Sequence, residues 1–516
     1  MNTLKRKALA TAVLGTLGVA GSAHAIFQDA NNLGQALVYP YYTVNNDPNG
    51  NAFNTFISVV NTTTSTKVVK VRFREGKASR EVLDFNLYLS PNDVWVGAVV
   101  PASADSGAAG HLIAPDNSCT NPPIPTGGVD FRNFDYKGDP LGVDTLDRTR
   151  EGYAEIFEMG VVDPAHATGP DVISATTHAS NGVPSCGATV TGNPAGGGGA
   201  PVQNSLTVPT GGLSGTGTLI NVTSGRDTMY NANAFGSWYG LPITPPYQEI
   251  NTDTPNFSTT APPASVVADP TKNRVYFSVW SGTAQSGVTV TSGARAAAST
   301  MMHDNVINEY ILDAATASDT DWVMTFPVKR HFVGGGGSAT GAVAPFTTPL
   351  SSTGACETID VTYFNREEAS ATPAGVDFSP SPPGAAANSL CYESTVLSIR
   401  NGSANAPTPG SKPTSLVLGS TNVTAVNVTS TFQNGWMRLH FSGANASTNG
   451  LVSEATSVTV TAGVAGAAAA QTYRGLPVVG FMIRTFANGT LTCGSASCQG
   501  NYGGSVSHAY TLSVLP

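Results

Sequence analysis

Apolar and polar positions alternate most regularly between residues 53 and 100, and this stretch sets the expectation for the chain. Phe53 to Val60 (FNTFISVV) is rich in β-branched and aromatic residues, and Asn61 to Thr66 reads as a polar turn. In Lys67 to Arg74 (KVVKVRFR), Val69, Val71 and Phe73 share one face while Lys70, Arg72 and Arg74 share the other. Period-two alternation is the pattern of an antiparallel strand with one solvated side. Leu83, Phe85, Leu87 and Leu89 repeat it, so the three segments predict a meander forming one layer of a sandwich. Trp95, on the next segment, is expected to anchor the core. The Lys70/Arg72/Arg74 row is expected to form a solvated cross-strand ladder with Glu81 and Asp84. Upstream, Tyr39, Tyr41 and Tyr42 surround Pro40. A proline cannot donate to a ladder, which predicts an edge strand or an extended arm that caps the domain or offers an interaction surface to a neighbour.

Further strands are predicted at 151–162, 217–222, 229–235 and 273–280, and a short helix at 171–180. Residues 296–312 suit a helix, or a helix leading into a strand. Residues 321–333 read as a long edge or bulged strand interrupted by Pro327. The glycine run 334–337 is the best internal boundary, and β patterns resume at 394–400, 415–428, 435–441, 458–462, 480–487 and 507–514. The fold class expected is all-β: two sandwich-like (immunoglobulin-like) antiparallel domains, 26–335 and 336–516, with long loops and one or two short helices.

The first 25 residues change the setting. Lys5, Arg6 and Lys7 precede a short apolar run, and Ala23-His24-Ala25 supplies the small-x-small pattern of a signal peptidase site. A cleaved export signal, residues 1–25, is expected, with the mature chain beginning near Ile26. Its removal takes three of the 25 basic residues and leaves 22 against 34 acidic ones, a net charge of −12. That balance argues against nucleic acid and against an anionic membrane as partners. No later segment reaches the length of a membrane-spanning helix, and the strand patterns lack the sustained dyad repeat of an outer-membrane barrel. In an oxidising compartment the six cysteines are expected to form three disulfides. The simplest set is sequential: Cys119–Cys186, Cys356–Cys391 and Cys493–Cys498.

Motif chemistry is sparse. The chain has no GxSxG elbow, HExxH, Walker loop or dinucleotide fingerprint. Asn45, Asp47, Asn49 and Gly50 imitate the start of a calcium loop, but Phe56 stands where a bidentate Glu is required. His303, Asp304, Glu309, Asp313, Asp319 and Asp321 form a polar cluster in sequence. If they converged on a cleft, they would suit a calcium-dependent hydrolase. Polar caps and turns account for them equally well, so no catalytic residue and no cofactor is assigned beyond a structural calcium.

Several stretches carry a resemblance: VYPYYTV (38–44), TFISVVNTT (55–63), VKVRFREGKASREVLDFNLYLSPNDVW (69–95) and REGYAEIFEMG (150–160). NEYILDAATASDTDWVMTFPVKRHF (308–332) and GLPVVGFMIRTFANG (475–489) complete the set. In these the chain resembles a family of exported "cell surface" proteins of proteobacteria. The resemblance implies export and a surface or periplasmic setting, and brings no catalytic residues. The function expected is a secreted structural protein of a coat, matrix or adhesive layer. Its partners would be other surface proteins or itself, engaged by β-edge pairing or broad contact. The alternative is a module binding extracellular polysaccharide or another ligand through exposed aromatics, with Tyr39, Tyr41, Tyr42, Trp238 or Trp436 as candidates.

Overall fold

The computed structural model describes residues 25–103, 109–187, 190, 205–236, 264–269, 274–279, 293–334, 341–372, 388–401, 414–441, 472–493, 496–511 and 514–515. Over these the chain is an all-β sandwich protein built from hydrogen-bonded sheets whose pairings are antiparallel, save Ser394–Asn401 with Val423–Val428. A ten-stranded sheet is centred on Ala36–Thr43, Glu151–Val162, Lys67–Glu75 and Glu81–Leu89, in that order. Facing it is a six-stranded sheet that includes Arg226–Asn231, Leu213–Asn221, Asn54–Asn61, Val94–Pro101 and Gly110–Ile113. Val69, Val71 and Phe73 from the first meet Ile57, Val59, Trp95 and Leu112 from the second in one buried core. Trp95 is the expected anchor, fully buried.

Three expectations for the N-terminal half are corrected first. The predicted meander is split between layers: Asn54–Asn61 pairs with Val94–Pro101 and Leu213–Asn221, whereas Lys67–Glu75 pairs with Glu81–Leu89 and Glu151–Val162. The turn between them switches sheets, and Asn61 Nδ2 holds it by donating to Ser65 O and Ser90 O at 2.8 Å each.

The charged row is not solvated: Lys70, Arg72 and Arg74 are all buried. Lys70 Nζ meets Asp84 at 2.8 Å, Arg72 Nε meets Glu81 at 2.6 Å, and Arg74 Nε meets Glu155 at 2.8 Å. The acid that alternation could not anticipate is Glu155. It lies on a strand that reaches Lys67–Glu75 only through the fold.

The tyrosine strand is neither edge nor arm. Ala36–Thr43 lies between Asn233–Gly236 and Glu151–Val162, and Tyr39, Tyr41 and Tyr42 are fully buried. Pro40 is tolerated for two reasons. On one side the register with Glu151–Val162 shifts between Gly152↔Tyr42 and Ala154↔Tyr39, so Pro40 falls in a bulge. On the other, the pairing with Asn233–Gly236 reaches only Val38.

The C-terminal half adds a five-stranded sheet with the order Ser370–Ala371, Asp360–Asn365, Asn434–His440, Asn305–Ile311, Ala509–Thr511. A further six-stranded sheet is centred on Ser318–Thr325, between Ser394–Asn401 and Val479–Cys493. Ser318–Thr325 is therefore an interior strand that ends before Pro327, not an edge strand running to 333. Its two faces feed different cores. Trp322 and Met324 pack with Tyr310, Met437 and Leu439, and Val323 packs with the core of the N-terminal sheets. Asn305–Ile311 and Ser318–Thr325 both pair with strands beyond residue 336, so the C-terminal sheets begin upstream of the 334–337 glycine run. The short helix near 171–180 spans Gly169–Thr176, and Gly293–Thr300 is a helix leading into the strands Met302–His303 and Asn305–Ile311.

Two expected disulfides are formed, Cys119–Cys186 and Cys356–Cys391. For the third, the backbone is an antiparallel hairpin in which Leu491 opposes Cys498 and Cys493 opposes Ala496, while the two cysteine side chains lie outside the described residues.

Candidate functional site on the outer face of the five-stranded sheet

Alternation along the five-stranded sheet sorts its residues. Val306, Tyr310, Val361, Tyr363, Met437 and Leu439 point into the core. Glu309, Trp436 and Phe364 form one cross-strand row of the opposite face, and Ile307, Arg438 and Thr362 form the next. Trp436 stacks on Phe364 with ring centroids 4.2 Å apart and planes 8° from parallel, yet remains 38% exposed. Glu309, 63% exposed at its side chain, pairs with Arg484 of Val479–Cys493 at 3.0 Å. Arg438 is exposed and makes no ion pair among the described residues. Large aromatics normally find cover, so a stacked pair left open beside charged side chains is the most site-like feature of this surface.

The residues singled out from the sequence do not converge. Among the described residues, no group of three or more His, Cys, Asp or Glu could hold a metal ion. His303 is half-buried, stacks on Tyr510 at 4.0 Å, and leaves its buried Nδ1 without a hydrogen-bond partner. Burial lowers its pKa to about 3, so it is a neutral core ring. Asp304 accepts from the Thr511 hydroxyl. Asp313 Oδ1 accepts from Ala315 N at 2.8 Å and caps a turn. Asp321 is fully buried, and its Oδ2 accepts from Val417 N at 2.9 Å and Leu418 N at 3.0 Å. Burial, and Asp321 beside it, raise the carboxyl of Asp319 to about 6. Glu309 alone reaches the exposed face.

The calcium-like turn is filled from within. Asp47 Oδ1 accepts from Asn49 N and Asn51 N, and Oδ2 accepts from Ser224 Oγ. Donors aimed at both oxygens stand where a cation would have to bind. Of the aromatic candidates, Trp436 is on the surface, the three tyrosines are in the core, and Trp238 lies outside the described residues.

Two groupings resemble catalytic sets and fail on roles. Ser90 Oγ lies 3.3 Å from His178 Nδ1, but it donates to Asp93 Oδ2, and Asp93 sits 3.8 Å from that same ring nitrogen. A hydrolytic triad needs serine and carboxylate on opposite nitrogens. His111 has Nδ1 on Asp130 at 2.7 Å and Nε2 on Gly127 O at 2.8 Å, leaving neither nitrogen for a substrate.

What sequence reasoning missed is a polar seam between the halves. The Glu151 carboxylate accepts from Tyr41 Oη at 2.7 Å and Ser420 Oγ at 2.5 Å. Its other oxygen accepts from Thr421 N and Oγ1 at 2.9 Å and Asn422 N at 3.1 Å. Thr325 Oγ1 donates to Pro40 O at 2.5 Å, and Ser394 N to Gly76 O at 2.7 Å. A buried lysine, Lys329, lies over the rings of Phe326 and Phe346, and burial lowers its pKa. No local signal marks Glu151, because its partners lie 110 residues upstream and some 270 residues downstream.

No helix among the described residues is long and apolar enough to cross a membrane. Comparison with family models finds no match, and comparisons with curated proteins and with solved structures find none either.

Proposed function

We propose that the chain is an exported structural protein of the cell surface that works by contact rather than by catalysis, with the outer face of the five-stranded sheet as its contact face. The observation that carries this reading is the Trp436–Phe364 pair, open on a sheet whose other side is locked into the core. The sheet behind it is tied into the rest of the fold: the strand Ser318–Thr325 serves two cores, and the Glu151 seam links them. Disulfides fit the oxidising compartment that export supplies. The buried tyrosines take no part, so β-edge pairing through residues 36–43 is withdrawn as the mode of contact.

The test is to express the chain with its leader and follow two readouts. Cell fractionation should recover a protein starting at Ile26 outside the cytoplasm, and light scattering of the purified protein should show concentration-dependent association that Trp436→Ala weakens. A cytoplasmic, unprocessed protein would defeat export. A monomer at every concentration would remove self-assembly and leave contact with other molecules as the role.

A further inference from the structure

The outer face of the N-terminal six-stranded sheet follows a different plan, and what it implies does not depend on the Trp436 face. Along Arg226–Asn231, Leu213–Asn221, Asn54–Asn61 and Gly110–Ile113, positions alternate between the core and this open side. One cross-strand row of the open side, completed by Val94–Pro101, reads Met229, Thr218, Phe56, Ala98, Ile113. Large apolar and small side chains take turns along it. With strands about 4.8 Å apart, the large ones recur about every 10 Å. Met229 is 57% exposed and Phe56 36%, while Ala98 lies at 1% in the hollow between its neighbours. Charge is almost absent. The ionisable side chains that these five strands turn outward are Asp227 near one edge and His111 near the other, the latter closed on Asp130 at 2.7 Å. Asp116, at the rim, accepts from Val96 N and Ser118 N. Arg226 is drawn the other way, donating from Nη1 to Val417 O at 2.6 Å.

We propose that this face pairs with the same face of a second copy of the chain, about a two-fold axis running along the strands between Leu213–Asn221 and Asn54–Asn61. That axis sets Phe56 of each copy over Thr218 of the other, and Met229 over Ala98, so ridges enter hollows in both directions. A two-fold contact has to be complementary to itself, and an alternating row displaced by one strand meets that condition. Two sheets facing one another with their strands nearly aligned, about 10 Å apart, is the ordinary packing of sandwich layers. Charge points to the same occupant. Copies that each carry −9 over the full chain repel across most of their surfaces, and a face with so little charge opposes contact least. Five strands of about seven residues offer about 600 Å² per copy, or about 1,200 Å² in the pair, where the range of specific interfaces begins. Such a contact closes as a dimer and leaves the Trp436 face free.

The experiment is light scattering and analytical sedimentation of the folded chain from Ile26 carrying Trp436→Ala, so that the other face does not contribute. The expected result is a dimer whose dissociation constant rises at least about 10-fold when Phe56→Asp is added, and likewise with Met229→Asp. Mixing Phe56→Asp chains with Phe56→Lys chains is expected to restore the dimer, because the axis brings the two positions together. Both positions lie on the open side, and an unchanged melting temperature certifies that the variants are folded. A Trp436→Ala chain that stays monomeric at every concentration, Phe56→Asp and Met229→Asp variants that dimerise as before, or a mixture that does not pair would each overturn the assignment. The Trp436 face is scored separately, by comparing the Trp436→Ala chain with the unaltered one, and export is scored by fractionation.

Discussion

Removing the Glu151 carboxylate should cost more than any other single polar change at the seam. Glu151→Ala leaves Tyr41 Oη and Ser420 Oγ without this acceptor in a buried setting, and Thr421 N and Oγ1 in a partly buried one, while Asn422 N keeps Ser420 Oγ at 3.1 Å. Each buried orphan costs about 1–3 kcal/mol, while water can reach the Thr421 pair at smaller cost. Part of the penalty is recovered by relaxation, which gives a net loss of about 4 kcal/mol, in line with breaking other buried charged contacts. Against a total of about 5–15 kcal/mol, that is a large share. Glu151→Gln keeps the shape but turns an amide NH₂ toward existing donors, and should lose about 2–3 kcal/mol. Chemical denaturation of wild type and both variants measures this, with the slope on denaturant checking that the unfolded states are alike. In a double-mutant cycle, Tyr41→Phe and Glu151→Ala should cost less together than the two added. A Glu151→Ala loss below about 1 kcal/mol at unchanged slope would refute the claim that this carboxylate joins the halves.

Acid should destabilise the protein through its buried histidines. Burial lowers His508, which donates from Nε2 to Val323 O, to about 4, and lowers His303 to about 3. The unfolded chain protonates both near pH 6.5 and so binds more protons below that point. The histidines' contribution is therefore complete above pH 6.5 and falls toward pH 4, by about 3 kcal/mol for His508, while Asp319, raised to about 6, works in the opposite direction. Melting temperatures across this range should show the slope, and His508→Asn should flatten it. Tyr41→Phe should lose about 1–2 kcal/mol and Tyr42→Ala about 3–5 kcal/mol in denaturant titrations, with no change in oligomeric state. An effect of either on association without a loss of stability would return these residues to the surface. Gly419 adopts φ +63° at the seam, and a Cβ there would meet Asn46 O at 1.8 Å. Gly419→Val should therefore cost about 3 kcal/mol by thermal melting, and a neutral result would mean the two loops are not in contact.

The sequence made the strands legible far better than their neighbours. Lys67–Glu75 is plain from its period, but alternation reports that a strand has two faces and not what covers them. Glu155, which turns the basic row from a solvated ladder into a buried one, lies over 80 residues downstream of Arg72. Pro40 was misleading for a related reason. The rule that confines proline to edges assumes a regular ladder, and here a bulge relieves the requirement on one side while the neighbouring strand stops short on the other. Two of the sequential cysteine pairings form, closing spans of 67 and 35 residues. The His303–Asp321 grouping was only proximity along the chain: successive strand positions point to opposite faces, and the residues went to a core, a surface pair and a loop anchor. Trp436 was visible as a candidate, but its stacking on Phe364 was not, since the two strands meet through long connections.

The strand Ser318–Thr325 bears on how this molecule can be divided. Because Val323 faces one core and Trp322 the other, a substitution on this strand touches both halves at once. Calorimetry should then record one endotherm rather than two, with heat capacity scaled to the whole chain. A fragment beginning after the glycine run would lack an interior strand of each C-terminal sheet and leave long unpaired edges, the form of exposed backbone that aggregates. On this architecture a cut near the middle is expected to leave neither piece folded alone.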